Sequence, residues 1–286
     1  MTIKEFTNAM NNTDFWKEVD VVIANYVETV KTELHIRWEK WPLDLSKREM
    51  YEVIGALMAR QVTLAIHLAI SPSIWNGHVA PLILRSMTDN YINLAWIFGD
   101  LSDRSRKFML HGLGQEKLTL EHQKARLTKD GKDAENDPLI KEWEEWLNTQ
   151  RYTFLTEVNI GSWSGIDTRK MAEEADCIDL YNYAYTPFSA ATHNMWNHVS
   201  KYNLARCPNA LHRHHRIPVI LSLNPDLDYV YRAAKYVRKV FRLFDEKTGI
   251  NVDTPSAFKT FVQSMNELEK ILEAENDAQV KSSEEE

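Results

Sequence analysis

The chain has 286 residues, 44% of them hydrophobic and 26% charged, which is the composition of an ordinary soluble globular protein. Its formal net charge of −7 argues against a general polyanion binder but leaves room for a local basic groove. The two cysteines, Cys177 and Cys207, exclude a disulfide framework, and the apolar runs stop well short of the ~20 residues that cross a bilayer. We therefore expect a cytoplasmic protein with no membrane partner.

Helical periodicity runs through almost the whole chain, and only nine glycines and nine prolines interrupt it. Apolar residues at three- and four-residue steps predict helices over residues 14–41, 46–70, 79–98, 102–127, 138–149, 178–201, 226–244 and 255–275. We predict an all-α fold, a single multi-helix bundle of about eight helices over residues 1–275. Residues 276–286 are too polar to pack, and we predict a disordered acidic tail there.

The third predicted helix is apolar on nearly all sides but carries two charged residues. Arg85 and Asp89 are four residues apart and so share a face, either as a structural ion pair on the wet side or as a polar centre shared with a second helix. The sixth predicted helix supplies a candidate for that second helix, because Tyr185, Ser189 and His193 also fall at four-residue steps. We predict that these five residues form a polar core or a binding site.

The sixth predicted helix also contains a pair of histidines, His193 and His198. They are five residues apart, so on a regular helix they point about 140° away from each other. Histidine ligands on one helix normally use a four-residue spacing, as in H-E-x-x-H. We therefore do not interpret this pair as a metal site.

The loop CPNALHRHHR is the most basic segment of an otherwise acidic chain. Its cysteine and histidines are competent metal ligands, but the spacing C-x4-H-x-H-H matches no structural zinc pattern. Arginine and histidine together suit a phosphate group from a nucleotide or RNA, and a plain surface loop is the alternative. The phosphate-binding candidates are Arg206, His212, Arg213, His214, His215 and Arg216. From the sequence we predict no metal ligand and no cofactor.

A third candidate site lies in the segment SDRSRKFMLHGLG. Arg104 and His111 are seven residues apart and line up on one helical face, whereas Arg106 and His111 are five apart and do not. A histidine that moves a proton and an arginine that stabilises charge on the phosphate can cleave RNA without a metal ion. The same loose Arg-to-His spacing recurs elsewhere in the chain, so the pattern by itself is not specific.

Two segments resemble a large group of all-helical bacterial proteins that is catalogued only as a domain of unknown function. They are PLILRSMTDNYINLAWIFGDLSDRSRKF and, about a hundred residues later, YTPFSAATHNMWNHV. The pattern of that family is an arginine with an acid four residues on, then Tyr, Ser and His at four-residue steps, and the five residues of the predicted polar core match it. The family's acid is more often Glu, so Asp89 departs from it. The resemblance covers about residues 45–245.

By its size, helical content and Arg-to-His spacing, the chain also resembles HEPN domains, helical proteins of toxin–antitoxin, abortive-infection and other antiviral systems. Many of them are metal-independent ribonucleases whose sites form across a dimer. This resemblance implies a bacterial defence or toxin protein that cleaves RNA with Arg104 or Arg106 and His111, as a homo-oligomer or with a partner protein of a defence system. Two alternatives are a non-catalytic sensor or partner module built on the polar core, and a metal-dependent enzyme that uses residues 193–215.

Overall fold

The computed structural model describes residues 13–150 and 161–284, and within these ranges nearly all regular structure is helical. The exception is an antiparallel pair of three-residue strands, β1 (Leu204–Arg206) and β2 (Arg216–Pro218). The predicted all-α class is therefore confirmed. The last two residues of the predicted tail lie outside the described residues.

The helical segments fall into three groups along the chain. The first five are α1 (Thr13–Lys40), α2 (Arg48–Ala69), α3 (Ala80–Ile97), α4 (Leu101–Lys129) and α5 (Pro138–Thr149). Four short segments follow, α6 (Thr168–Glu174), α7 (Ile178–Leu180), α8 (Thr186–Thr192) and α9 (Trp196–Tyr202), with a π-helical turn (Tyr181–Tyr185) between α7 and α8. The last two are α10 (Asp228–Thr248) and α11 (Ala257–Glu284). The described residues thus form more segments than the eight predicted.

The difference arises mainly in the sixth predicted helix, which the structure divides. Pro187 has no amide hydrogen and its ring crowds the preceding turn, and the widened π-helical turn ends two residues before it. α8 then ends at Thr192, and Asn194 adopts a left-handed backbone conformation with a φ of 50°. The periodicity of the apolar residues continues through this break, which is why the sequence reads as one helix.

The chain divides into two compact units. The first contains Met1–Pro42, Met58–Tyr91 and Asn182–Glu286, and the second contains Leu43–Leu57 and Ile92–Tyr181. The single domain predicted over residues 1–275 stays a prediction. All the contacts described below lie within one unit or the other.

A buried ionic network joins the long helices of the first unit. The Arg37 guanidinium on α1 donates from Nε and NH2 to the two carboxylate oxygens of Asp245 on α10, both at 2.8 Å, and lies 4.2 Å from the centroid of the Phe241 ring. The Glu33 carboxylate accepts a hydrogen bond from the backbone N–H of Ala257 at the start of α11, at 3.1 Å. Burial raises the pKa of Glu33 by more than the amide and the guanidinium lower it. The network fixes α1 against α10 and α11.

The second unit is built around the antiparallel pair α4 and α5. Apolar residues of the two helices and of the loop between them form one cluster that contains Leu113, Leu120, Leu127, Ala134, Ile140 and Leu147. Trp143 packs against this cluster and donates from Nε1 to the carboxylate of Glu116 at 3.1 Å. The short loop between the helices returns the chain directly, as the solvated segment KDGKDAEND suggests.

One described helical segment, Leu45–Ala69, has the length and hydropathy that membrane spans also have. Half of its most apolar window is buried inside the protein, as in the core helix of a globular fold. Length and composition alone are weak evidence for a membrane span.

The final helix runs further than predicted. Its backbone is helical to Glu284, so residues 276–284 are helical where we predicted a disordered tail. Ala278, Gln279 and Lys281 are good helix formers, and extending an existing helix avoids the cost of nucleating a new one. A polar composition does not prevent a helix from continuing, and the expectation that these residues are too polar to pack stays a prediction.

Candidate functional site

Arg85 is buried on α3 and its guanidinium contacts three groups. Nε donates to Ser189 Oγ at 2.8 Å, NH1 forms an ion pair with Asp89, and the guanidinium carbon lies 3.2 Å from the centroid of the Tyr185 ring. Ser189 Oγ in turn donates to the backbone carbonyl of Tyr185 at 2.8 Å. Four of the five predicted polar-core residues therefore meet between α3 and the start of α8.

We refer to the contacts of Arg85 with Asp89, Ser189 and Tyr185 as the Arg85 clamp. Its Asp89 end is partly exposed to solvent. Burial raises the pKa of Asp89 more than the neighbouring Arg85 guanidinium lowers it, although 41% of the Asp89 side chain is exposed. The Tyr185 ring is presented by the π-helical turn, a feature that often occurs at functional positions. The assignment of this core as a binding site stays a prediction.

His193 is not part of this core. It is the residue at which α8 ends, its side chain is exposed, and among the described residues no hydrogen bond joins it to Arg85 or Asp89. The four-residue stripe stops because the helix stops at Thr192. His198 lies beyond the break, on α9.

Arg104, a predicted catalytic arginine, lies in the second unit, where it contacts one aromatic and one acidic side chain. Its NH1 donates to the backbone carbonyl of Trp96 at 2.5 Å, its guanidinium carbon lies 3.8 Å from the centroid of the Trp96 ring, and NH2 lies 3.7 Å from a carboxylate oxygen of Glu174. Trp96 Nε1 also donates to Glu174, at 2.8 Å. These contacts join α4 to the end of α3 and leave the Arg104 side chain largely buried.

The histidine of the same predicted site contacts a different group. His111 Nε2 donates to the backbone carbonyl of Gly161 at 3.0 Å, so Nε2 carries a proton. Arg106 is exposed. Within the described residues no hydrogen bond or ring contact joins Arg104 to His111, so the seven-residue spacing places them on one face without bringing their side chains together. Their catalytic role stays a prediction.

The basic loop forms the tip of the β-hairpin. Strand register pairs Arg206 with Arg216, and the N–H of Cys207 donates to the carbonyl of His215 at 3.1 Å. His212 lies across the loop with Nδ1 at 3.7 Å from Cys207 Sγ. The ligand atoms of Cys207, His212 and His215 all lie within 4.8 Å of one another, a geometry that could hold a metal ion. The strand pairing that returns His215 to Cys207 is not visible in the linear spacing, from which we predicted no metal ligand.

The arginines of this hairpin line a surface cleft of about 650 Å³. Its lining contains five of the six predicted phosphate-binding residues, Arg206, Arg213, His214, His215 and Arg216. His212 is the exception, since its ring contacts Cys207 and lies 5.5 Å from the His215 ring. Phosphate binding at the cleft stays a prediction.

A second cavity, of about 320 Å³, lies at α8, α9 and the start of α10, and we refer to it as the α9–α10 cavity. Its polar and aromatic lining consists of Phe188, Asn197, His198, Lys201, Tyr202, Asp228, Tyr229 and Arg232. None of these residues is among the predicted site residues. Two sequence features could have indicated this cavity. One is the spacing of His198, Lys201 and Tyr202 on one helical face, and the other is the group of polar and aromatic residues in the first turn of α10. We missed the first because we predicted one unbroken helix over residues 178–201.

Tyr202 lines the α9–α10 cavity and contacts several neighbouring side chains. The His198 ring lies 4.7 Å from the Tyr202 ring and the His78 ring 5.4 Å from it. Gly77 faces the same ring so closely that a Cβ at this position would overlap the Tyr202 ring. Lys201 Nζ lies 5.0 Å from the Tyr202 ring centroid. The Tyr202 ring thus contacts two imidazoles and packs closely against Gly77.

Two pKa shifts mark this cavity. Burial lowers the pKa of His198, with the nearby His78 and Lys201 adding to the effect, so the imidazole is neutral at pH 7. Burial raises the pKa of Tyr229 to about 12, with Tyr202 contributing, so its phenol keeps its proton and can donate a hydrogen bond. Arg232 Nε donates to Asp228 at 2.5 Å, which orients the guanidinium along the first turns of α10.

The start of α10 is fixed by Asp226, which lies two residues before the helix. The Asp226 side chain accepts a hydrogen bond from the N–H of Asp228 at 2.9 Å, and the N–H of Asp226 donates to the carbonyl of Trp75 at 2.7 Å. These contacts set the first turn of α10, with Tyr229, at the cavity. A cavity with convergent polar groups and shifted pKa values is the usual geometry of a ligand site.

Comparison with known proteins identifies a family. Residues 51–209 match the model of a family of unknown function, DUF5677. The chain belongs to this family. The DUF5677 match covers the Arg85 core and the α9 side of the cavity, and it ends inside the hairpin loop, before His212. No curated protein and no solved structure matches the chain.

Proposed function

We propose that this DUF5677 protein binds a nucleotide-type ligand, a small molecule with a phosphate group and an aromatic ring, in the α9–α10 cavity, and that it acts as a non-catalytic sensor or partner module. One observation carries the proposal. His198, Lys201 and Arg232 line one concave site together with the rings of Tyr202 and Tyr229.

Each group has a role in recognising such a ligand. Lys201 and Arg232 supply charge-assisted hydrogen bonds to phosphate oxygens. The two tyrosine rings offer faces on which a base stacks. The cavity volume of about 320 Å³ is at the lower end of ordinary ligand pockets, which suits a mononucleotide and excludes a helical segment of RNA.

The Arg85 clamp supports this proposal because it holds α8, the helix that forms one wall of the cavity. Phe188, Ala190 and Ala191 of α8 line the cavity, and Ser189 between them is the residue that Arg85 holds. The polar core predicted from the sequence therefore positions one wall of the cavity. In this interpretation Arg85 is a positioning residue and does not touch the ligand.

Titration calorimetry with nucleoside monophosphates, the matching nucleosides and inorganic phosphate tests the proposal. We expect the monophosphates to bind, the nucleosides to bind more weakly, and Lys201→Ala to lower monophosphate affinity about 10- to 100-fold, the range for losing a hydrogen bond to a charged group. Lys235→Ala, an exposed lysine of α10 outside the cavity, is the matched control. If no monophosphate binds, or if both variants behave alike, the proposal is wrong.

The HEPN-like ribonuclease hypothesis requires a different arrangement of side chains. Its arginine has to face an RNA phosphate. The Arg104 guanidinium is engaged by Trp96 and Glu174, which disfavours Arg104 in this role, whereas Arg106, the other candidate, is exposed. Incubating structured RNA with the protein and a chelator separates this hypothesis from our proposal. Degradation that His111→Ala abolishes would replace our proposal with the ribonuclease. A cytoplasmic location, a bacterial defence role and self-association stay predictions.

A further inference from the structure

We propose that the tip of the β-hairpin is a metal site that binds one zinc-class divalent ion per chain through Cys207, His212 and His215. The site is separate from the α9–α10 cavity and does not rest on the nucleotide proposal. It has one soft and two borderline ligands, which suit zinc, cobalt and related transition metals and do not suit Mg²⁺ or Ca²⁺.

The distances already approach those of a tetrahedral site. Zinc lies about 2.3 Å from a thiolate and about 2.0–2.1 Å from an imidazole nitrogen, so sulfur and nitrogen ligands are about 3.6 Å apart around a tetrahedral ion. Cys207 Sγ and His212 Nδ1 are 3.7 Å apart. The ligand atoms of the whole triad lie within 4.8 Å of one another, so closing around an ion needs side-chain movements of about 1 Å.

The backbone of the hairpin holds the three ligands in this arrangement. The strand pairing places Cys207 beside His215, with the hydrogen bond between Cys207 N–H and His215 C=O closing the neck of the loop. Within the loop, His212 N–H donates to Asn209 C=O at 3.0 Å, and His215 N–H donates to His212 C=O at 3.2 Å. His214 adopts a left-handed conformation with a φ of 64°, which turns the chain so that His215 follows on the side of Cys207. Unfavourable backbone conformations of this kind concentrate at ligand clamps.

The immediate surroundings supply a group that can orient one ligand. The Asn209 side-chain amide lies 3.2 Å from His212 Nε2, the ring nitrogen opposite Nδ1. An ion on Nδ1 leaves the proton on Nε2. The Asn209 amide oxygen reaches that proton only by rotating away from the Leu211 N–H, from which it accepts a hydrogen bond at 3.0 Å; a carbonyl oxygen is the usual second partner of a metal-bound histidine. His212 and His215 are exposed, so the fourth coordination position opens to solvent.

The nearby charges make the thiolate essential. Arg206, Arg213 and Arg216 surround the hairpin and repel a cation held by charge alone. An ion can bind only where a thiolate and two neutral imidazoles supply strong bonds to it. Because these ligands must lose their protons, affinity for the ion falls as the pH is lowered.

Cobalt(II) titration of tag-free full-length protein tests the proposal. We expect the visible absorption of tetrahedral cobalt and a thiolate-to-cobalt charge-transfer band in the near ultraviolet, both saturating at one equivalent and displaced by zinc but not by Mg²⁺. Cys207→Ser should abolish the charge-transfer band, and His212→Ala or His215→Ala should weaken zinc binding by at least about 10- to 100-fold, the loss already caused by altering a supporting partner of a ligand.

His122→Ala, at an exposed histidine of α4, and Cys177→Ser are the matched controls, since each removes a residue of the same type that lies outside the hairpin. Both should bind cobalt as the wild type does. The proposal is overturned if the wild type binds no stoichiometric ion, if the charge-transfer band survives in Cys207→Ser, or if His122→Ala weakens binding as much as His215→Ala. The wild-type titration decides the first point even if a variant fails to fold.

Discussion

At the scale of single residues, Arg85 shows how a buried charge is used in this protein. Its side chain is 9% exposed, and an isolated guanidinium in that position would be costly. Asp89 neutralises it, Ser189 accepts its Nε–H, and the Tyr185 ring covers its face. The residue therefore links three partners, and its removal leaves Asp89 without its counter-charge.

Arg85→Ala should lower the free energy of unfolding by about 3 kcal/mol, the lower end of the cost of breaking a buried ion pair, because Asp89 keeps partial access to solvent. Urea denaturation measures this loss. Arg60→Ala, an exposed arginine of α2, is the control and should change stability by less than about 0.5 kcal/mol. Similar losses in both variants would show that the clamp does not stabilise the fold.

His198 provides a pH-dependent prediction. Burial lowers its folded pKa below 6.5, so the unfolded chain binds the proton more readily. The stability that His198 contributes is therefore present above pH 6.5 and is lost as the pH falls through the folded pKa. An NMR titration of the imidazole should give a midpoint below 6.5, and the unfolding free energy of the wild type should fall relative to His198→Gln between pH 7.5 and 5. A midpoint above 6.5 would contradict this.

At the scale of elements, the broken helix explains where the cavity comes from. A regular helix over residues 178–201 would carry His198 away from the stripe of Tyr185 and Ser189, as its spacing predicts. The π-helical turn, the short α8 and the left-handed Asn194 instead reset the direction of α9. α9 then packs its aromatic face on the turn that contains Gly77, and α10 completes the wall.

Gly77→Ala should disturb this wall specifically. A Cβ at residue 77 overlaps the Tyr202 ring, so the ring has to move, and overpacking of this kind costs about 1–3 kcal/mol of unfolding free energy. Weaker monophosphate binding should accompany the loss. Gly112→Ala is the opposite case, because Gly112 lies inside α4 and no atom lies within 4 Å of a Cβ at this position. Alanine has less conformational freedom to lose on folding than glycine, so this substitution should raise the free energy of unfolding by about 0.5–1 kcal/mol. Thermal melts and calorimetry on both variants measure the contrast, and equal effects would refute it.

At the scale of the whole molecule, the first unit depends on contacts between distant parts of the chain. Arg37 and Asp245 are separated by 208 residues, yet they form the bidentate pair that joins α1 to α10. Glu33 extends the network to α11. Local periodicity cannot reveal such a pair, since each of these residues is an ordinary charged position on its own helix.

Arg37→Met should lower the free energy of unfolding by about 3–5 kcal/mol at neutral pH, because Asp245 and Glu33 lose a buried counter-charge. The loss should be smaller at pH 5. Glu33 has a folded pKa raised above its unfolded value, so its contribution is favourable at low pH and is lost as the pH rises through the folded pKa. Chemical denaturation at the two pH values measures the difference. Arg242→Met, an exposed arginine on α10, should have little effect at either pH, and a larger loss at pH 5 in Arg37→Met would contradict the argument.

The sequence by itself determined the helical class, most long helices and the shared face of Arg85 and Asp89, because helical periodicity is a local property of the chain. It also determined the family, since the matched pattern lies within residues 51–209. It did not determine the α9–α10 cavity or the hairpin triad. Those depend on a break in a periodic segment, on a strand register and on packing between helices far apart in sequence, and only the tertiary structure decides which side chains then meet.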